Sequence, residues 1–363
     1  MISLDNPANS PYTNVTNTCY LARLMAKKRV TSFDVAKESG VSRTTVSFVL
    51  NNVSGISISE ATRQRVLQVA KELNYHPDST GRKLASGKSN TLGLVLRQSH
   101  EQVFADALLP QVLVGIEQAA TAQGFQVLLK PLEPEDCDGY LHLVQENHVD
   151  GIILSGPRLE ETEVIRLHNE GLPVMMMGQL PGSNLPFIDI DAVHGSAMAV
   201  KHLIEHGHQR IGMITNASLE YSSAQQRRTG YENALKEAGI DPDDNLVQAG
   251  NYTPLSGFKA MEKLLQIFPR PTAVFIASDV VCLGAIRAIK RAGLRIPQDI
   301  AVVGFDDIPL ADFYEPPLTT IHIPAYGLGW GAGDRLVRMV QGEALEQEGM
   351  LLESELVIRS SSF

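Results

Sequence analysis

Residues 39–51 read SGVSRTTVSFVLN, and the polar side chains in that run are spaced so that they can do recognition chemistry. Arg43, Thr44 and Ser47 fall on one side of a short helix that holds no acid, while Val46, Val49 and Leu50, at i, i+3 and i+4, turn to the other. An outward arginine near a helix N-terminus can donate two parallel hydrogen bonds to a guanine, and Thr44 and Phe48 can offer apolar contact to thymine methyl groups. A second set of candidates lies far along the chain. Asp306 closes the run VVGFDD, and a carboxylate there, or on its neighbour Asp307, can accept two hydroxyl hydrogen bonds from a sugar ring. Neither set is catalytic: the sequence holds no phosphate-binding P-loop, no G-x-S-x-G nucleophile turn and no His–Cys metal spacing. The chemistry expected is binding rather than turnover, with no metal and no cofactor.

The elements that must position the first set are three short helices. TSFDVAKESG places Phe33, Val35 and Ala36 on one side and ends at Gly40, a residue that accepts the left-handed backbone closing a helix. Val41 then enters the core, and Ser42 can cap the next helix. A third helix, SEATRQRVLQVAKELNY, is capped by Ser59 and buries Val66, Val69, Ala70 and Leu73. A glycine turn between the first two helices makes a helix-turn-helix unit, whose second helix enters a DNA major groove with its first residues at the base edges. Charge agrees. Residues 25–90 carry eleven Lys and Arg against five Asp and Glu, a surplus of +6. Residues 1–24 cancel and the chain totals −10, so residues 91–363 carry −16. A basic head on an acidic body implies an anionic partner for the head alone.

The second set must be held by alternating strands and helices. From Thr91 onward, runs such as TLGLVLR, VDGIILSG, LPVMMMG, PFIDID, RIGMIT, TAVFIASD, IAVVGFDD, TTIHIP and ELVIRSS alternate with amphipathic segments such as HGSAMAVKHLIEHG and QQRRTGYENALKEAG. Unbroken Val/Ile/Leu strands between helices imply parallel sheets covered on both faces, here as two Rossmann-like lobes. Ligands in such sheets sit beyond the carboxyl ends of the strands, where Asp306 stands. Asp279 reads as a helix N-cap and is set aside. The glycines of GLGWGAG, residues 327–333, read as a helix packed closely on a neighbour, and His206 and His208 as structural residues around a helix-ending glycine.

At 363 residues the chain is long enough for two or three domains. Three scattered cysteines, Cys19, Cys137 and Cys282, fit a reducing cytosol, and no apolar run reaches the roughly 20 residues of a membrane helix. Residues 1–24 lack the basic and apolar regions of a signal peptide, so a cytoplasmic protein with no membrane partner is expected. The change of composition at Met25 reads either as the end of a disordered arm or as the true start.

The run VTSFDVAKESGVSRTTVSFVLNN…ISEATRQRVLQVAKELNYHPDSTGRKLASGKSNTLGLV resembles the headpiece of the LacI/GalR (lactose-repressor) family of bacterial transcription regulators. The resemblance continues through VDGIIL, GHQRIGMI, PTAVFIASD, IPQDIAVVGFDD and PPLTTIHIP. It implies a disordered arm over residues 1–28, a helix-turn-helix domain over 29–76, a hinge over 77–90 and a two-lobed, periplasmic-binding-protein-like effector and dimerisation domain over 91–363. It implies DNA contacts from Thr31, Ser42, Arg43, Thr44, Thr45, Ser47, Phe48 and Asn51, and from a hinge helix in which Arg82, Lys83 and the wedge residue Leu84 meet the minor groove. Gly81 stands where the family usually has Ala, which weakens that helix by about 1 kcal/mol. The resemblance also favours Asp306 over Asp307, and implies effector contacts from Arg227, Ser223, Phe104 and Tyr252, with Ser278 a further candidate. Arg227 or Arg228 can instead form a lobe-to-lobe ion pair. The function implied is a homodimeric repressor on pseudo-palindromic double-stranded operator DNA, controlled by a small-molecule effector, a carbohydrate first. A nucleobase, a nucleoside or a protein co-effector is the variant within the family. A sugar-binding transport protein accounts for the body but not for the basic head, and a two-lobed enzyme lacks an acid–base pair.

Overall fold

The computed structural model describes residues 30–50, 55–75, 88–133, 136, 139–145 and 148–363. They belong to two compact units that divide between Gly87 and Lys88.

The first unit contains α1 (Ser32–Ser39), α2 (Arg43–Leu50) and α3 (Glu60–Glu72). Local chemistry sets each boundary. At the start of α1, the backbone N–H and hydroxyl of Thr31 both donate to Asp34 Oδ2, at 2.8 and 2.7 Å. Gly40 ends the helix at φ 66°, and the N–H of Val41 donates back to the carbonyl of Ala36 at 3.0 Å. Ser42 Oγ then accepts from the N–H of Thr45 at 3.0 Å, and Ser59 Oγ from that of Thr62 at 3.3 Å, so α2 and α3 open on serine caps. Val35, Ala36, Val46, Val49, Val66, Val69 and Ala70 form the core, with Val41, Leu50 and Leu73 packed at its edge. Phe33 departs from the expectation. It lies two positions, about 200°, before Val35, on the opposite side of α1, and is 60% exposed.

The second unit has the two expected lobes. Its first lobe takes β1 (Thr91–Leu96), α4 (His100–Ala105), α5 (Leu109–Ala122), β2 (Gln126–Pro131), α6 (Gly139–Gln145), β3 (Gly151–Ser155), α7 (Thr162–Asn169), β4 (Val174–Met177) and β5 (Phe187–Ile190). The chain then crosses into the second lobe. There it forms α8 (Ala192–Glu205), β6 (Ile211–Ile214), α9 (Ser222–Glu237), β7 (Val247–Gln248), α10 (Pro254–Leu265), β8 (Ala273–Ile276), α11 (Asp279–Arg291), β9 (Ala301–Val303) and β10 (Thr320–His322). It returns to the first lobe for α12 (Ala325–Val340) and β11 (Gly349–Leu352), and crosses once more for β12 (Glu355–Val357).

The first sheet is wholly parallel, in the order β11-β5-β4-β3-β1-β2. The second is parallel in the order β7-β6-β8-β9, and the antiparallel pair β10–β12 runs alongside through the bridges Val303–Thr319 and Asp306–His322. Every residue of β1 is buried, as a strand covered on both faces requires. Leu94, Ile116, Ile153 and Leu336 centre one core of the first lobe, and Tyr231, Phe275, Val303 and Phe305 one of the second. The glycine run 327–333 lies in α12 and packs on α5, as expected. A Cβ on Gly115 would collide with the backbone of Tyr326 and Trp330, and one on Gly329 with that of Val112. The short strands β7 and β11 were not among the runs expected from the sequence.

Candidate functional site

In the head, α2 exposes Arg43, Thr44 and Ser47 on one face, with Thr45 and Phe48 half-buried beside them. Val46 and Val49 anchor the opposite face, so the register of the outward residues is fixed by packing. The hydroxyls of Thr31 and Ser42, expected to touch DNA, are engaged in helix capping with Asp34 and Thr45. Asn51, Arg82, Lys83 and Leu84, and with them residues 77–87 of the hinge, lie outside the described residues.

In the body, a cavity of about 1060 Å³, counted to its open mouth, lies between the lobes at the carboxyl ends of the strands. Its lining joins an apolar wall to a few convergent polar groups, the make-up of a small-molecule site. Five of the six effector residues expected from the sequence line it: Ser223, Arg227, Tyr252, Ser278 and Asp306. Leu108, Val112, Ile188, Ile323 and Leu328 supply an apolar wall. Phe104 does not line it. Val103 takes the buried position of α4, and the next residue points about 100° away, leaving Phe104 75% exposed.

Arg227 and Asp306 define the polar end. The guanidinium of Arg227, on α9, stands 3.5 Å from Asp306, stacks 4.1 Å over the ring of Phe305 and donates through Nη1 to the carbonyl of Ala277. Its Nε is buried without a hydrogen-bond partner. Asp306 holds φ 121°, a backbone rarely adopted by residues with a Cβ and costing on the order of 1–3 kcal/mol. Backbone bonds hold it there: its N–H donates to Ile321 at 2.8 Å, and its carbonyl accepts from Ile323 at 3.4 Å. Burial pushes the Asp306 carboxyl up to about 6, against the opposing pull of Arg227.

The neighbouring alternatives separate cleanly. Asp307 turns away to Arg359 at 2.9 Å and His322 at 3.0 Å. Arg228 pairs with Glu232 and Asp244 at 2.7 and 2.6 Å, away from the cavity. Asp279 is not the N-cap read from the sequence. Ser278 occupies that position, and the Asp279 carboxylate accepts from Thr320 Oγ1 at 2.7 Å and the Ile308 N–H at 3.1 Å, tying α11 to the strand ends. His206 caps α8 and His208 meets Thr272 Oγ1 at 3.0 Å, both structural as expected.

Sequence reading missed four residues that line the cavity: Gln98, Asp106, Asp189 and Asn216. Asp189 is the penultimate residue of β5, so the strand-end rule that found Asp306 applies to it too. Its Oδ1 accepts from the Ile190 N–H at 2.8 Å and its Oδ2 from Gln179 at 3.2 Å, yet burial still pushes its pKa up to about 6. Asp106 Oδ1 accepts from the N–H groups of Leu108 and Leu109 at 2.8 and 3.3 Å, opening α5. Burial raises its pKa as well. Asn216 donates to Ser223 Oγ at 3.1 Å and, more weakly, to the Tyr252 hydroxyl at 3.5 Å.

Residues 33–78 match the family described as bacterial regulatory proteins, lacI family, and residues 200–362 match a periplasmic binding protein-like domain. The HTH-type transcriptional regulator CelR of Thermobifida fusca is 34% identical over 342 residues, spanning 92% of this chain and 99% of its own. Among solved structures, a complex of the transcriptional regulator CelR with cellobiose is 33% identical with a TM-score of 0.71, covering 92% of this chain and 100% of that one. The lac repressor dimer bound to operator and the anti-inducer ONPF is 31% identical with a TM-score of 0.81, covering 92% and 99%.

Proposed function

This chain belongs to the lacI family of bacterial regulatory proteins, and from that premise we propose that it represses transcription as a homodimer on a pseudo-palindromic operator until a carbohydrate fills the cavity of its body. It is a DNA-binding transcription regulator with an effector-binding domain, not an enzyme.

The observation that carries the carbohydrate is the Arg227–Asp306 pair at 3.5 Å beside an apolar wall. A sugar hydroxyl both donates and accepts, so one hydroxyl can donate to Asp306 while it or its neighbour accepts from the unpartnered Arg227 Nε. The ring C–H groups then rest on Val112, Ile188 and Leu328. The solved relative bound to cellobiose supports this class of ligand.

Homodimerisation follows from the size of the reader. One recognition helix covers a half-site, and two related by a two-fold axis cover a palindrome. The relative solved on its operator is a dimer. A cytoplasmic location follows from the need to reach the operator.

Isothermal titration of the full chain with a panel of mono- and disaccharides, cellobiose among them, tests the reading. Saturable binding that Asp306→Ala abolishes is the result expected. A folded chain that takes up no sugar in the panel overturns it.

A further inference from the structure

The charge of the cavity is one-sided. Its charged lining consists of Asp106, Asp189 and Asp306 against the single cation Arg227. Arg227 pairs with Asp306 at 3.5 Å, and among the described residues neither Asp106 nor Asp189 makes an ion pair. With the three acids ionised, two negative charges are left over in a site partly closed to water.

The uncharged polar groups lean the same way. Gln98 is 7% exposed and Asn216 2%, both line the cavity, and the side-chain oxygen of each is buried without a hydrogen-bond donor. The two carboxylates outside the ion pair each accept two hydrogen bonds and keep lone pairs to spare, and with the two unpartnered amide oxygens they can accept from the donors of a ligand. A hydroxyl brings one donor and two acceptor lone pairs, whereas an ammonium brings three donors, no acceptor and a positive charge.

We propose that the effector carries a protonated amine among its hydroxyls, as an amino sugar does, and that the carboxylates left unpaired by Arg227 select it. The proposal rests on the effector-cavity reading above and deepens it from carbohydrate to aminated carbohydrate. Burial pushes Asp189 and Asp306 up to about 6, and Asp106 adds to the rise at Asp306, which is the electrostatic strain a bound cation relieves. The acids come from three separate segments: Asp106 from the turn before α5, Asp189 from β5 and Asp306 from the loop after β9. Among the described residues no group of three His, Cys, Asp or Glu side chains is placed to hold a metal ion. A polyhydroxylated amine, which spreads its donors over several ångströms, fits that arrangement better than a bare cation.

The test is calorimetric titration of the full chain at neutral pH with matched pairs: glucosamine against glucose, galactosamine against galactose, and the β-linked disaccharide of glucosamine against cellobiose. At least one amine is expected to bind tenfold or more tighter than its hydroxyl counterpart. Asp189→Asn and Asp106→Asn are each expected to narrow that preference to threefold or less. Equal or tighter binding of the hydroxyl partners overturns this inference and leaves the carbohydrate reading standing. An amine preference that both variants preserve overturns the assignment to these carboxylates. A panel in which neither class binds, with the chain folded by circular dichroism, overturns both readings together.

Discussion

Among single residues, Asp306 is the one on which effector response should turn, and Arg43 the one on which base reading should turn. Asp306 faces Arg227 at 3.5 Å from a constrained backbone position, so Asp306→Ala should abolish the response of DNA binding to effector while operator affinity without effector changes less than about threefold. A variant still responsive at wild-type concentrations would move the acid's role elsewhere. Arg43 stands exposed at the first turn of α2, and its truncation should cost about 1–3 kcal/mol on the operator and relax one base preference. Competition between point-mutated operators reads this directly, and unchanged discrimination would remove Arg43 from base reading. Asp189 gives a prediction in pH. A buried carboxyl with a raised pKa binds its proton more tightly in the folded chain than in the unfolded one, so its contribution to stability falls as pH climbs from about 4 to about 6. Asp189→Asn escapes that loss. Its stability relative to wild type should therefore rise across this window and level off at about 1–3 kcal/mol, since one pKa unit is about 1.4 kcal/mol. Urea unfolding at about pH 4.5 and pH 7.5 measures the difference, and a difference independent of pH would contradict it.

At the scale of elements, local chemistry was readable and long-range placement was not. The caps Ser42 and Ser59 and the turn at Gly40 act within three or four residues, so the helix-turn-helix could be derived from its own sequence. Apolar strands between helices likewise gave the two lobes. The return of β11 to the first sheet could not be read, because Gly349–Leu352 is a short run whose partner, Phe187–Ile190, lies far back in the chain. Two site residues show the same limit. Phe104 and Val103 are adjacent on a six-residue helix, and only packing decides which turns inward. PFIDID alternates like any half-buried strand, which hid Asp189, although its strand-end position was a usable signal. The α5–α12 crossing is where a single added methyl should be felt most. Gly115→Ala would force a Cβ into the backbone at Tyr326, and should destabilise the body by about 1–3 kcal/mol in urea titration. Wild-type stability would mean that the helices part without cost.

Across the whole molecule, the proposed regulation requires that ligand in the cavity be coupled to the arrangement of the lobes. The chain passes between the lobes at three places, and a fourth link forms where the loop after β3 meets the start of α9. There Leu159 N–H donates to Glu220 O at 2.8 Å, Arg158 meets Glu220 Oε2 at 2.6 Å, and Tyr221 reaches across to the carbonyl of Arg97 at 2.6 Å. Arg158→Glu sets two acids against each other at this latch. Because the pair is partly exposed, the expected loss is modest, about three- to tenfold in effector affinity, with a larger radius of gyration in X-ray scattering. Unaltered affinity would separate the latch from closure on ligand. Allostery requires that the cavity and the DNA face share one free-energy coupling, which is reciprocal by linkage. On the proposed function, a ligand seated on Arg227 and Asp306 sets the affinity of the head for its operator. The most direct measurement is fluorescence anisotropy of operator DNA, selected from a genomic library with the full chain, titrated with and without saturating cavity ligand for wild type and Asp306→Ala. A tenfold or greater change in wild type that vanishes in the variant is the predicted result. Equal operator affinity with and without bound ligand in wild type would contradict the account.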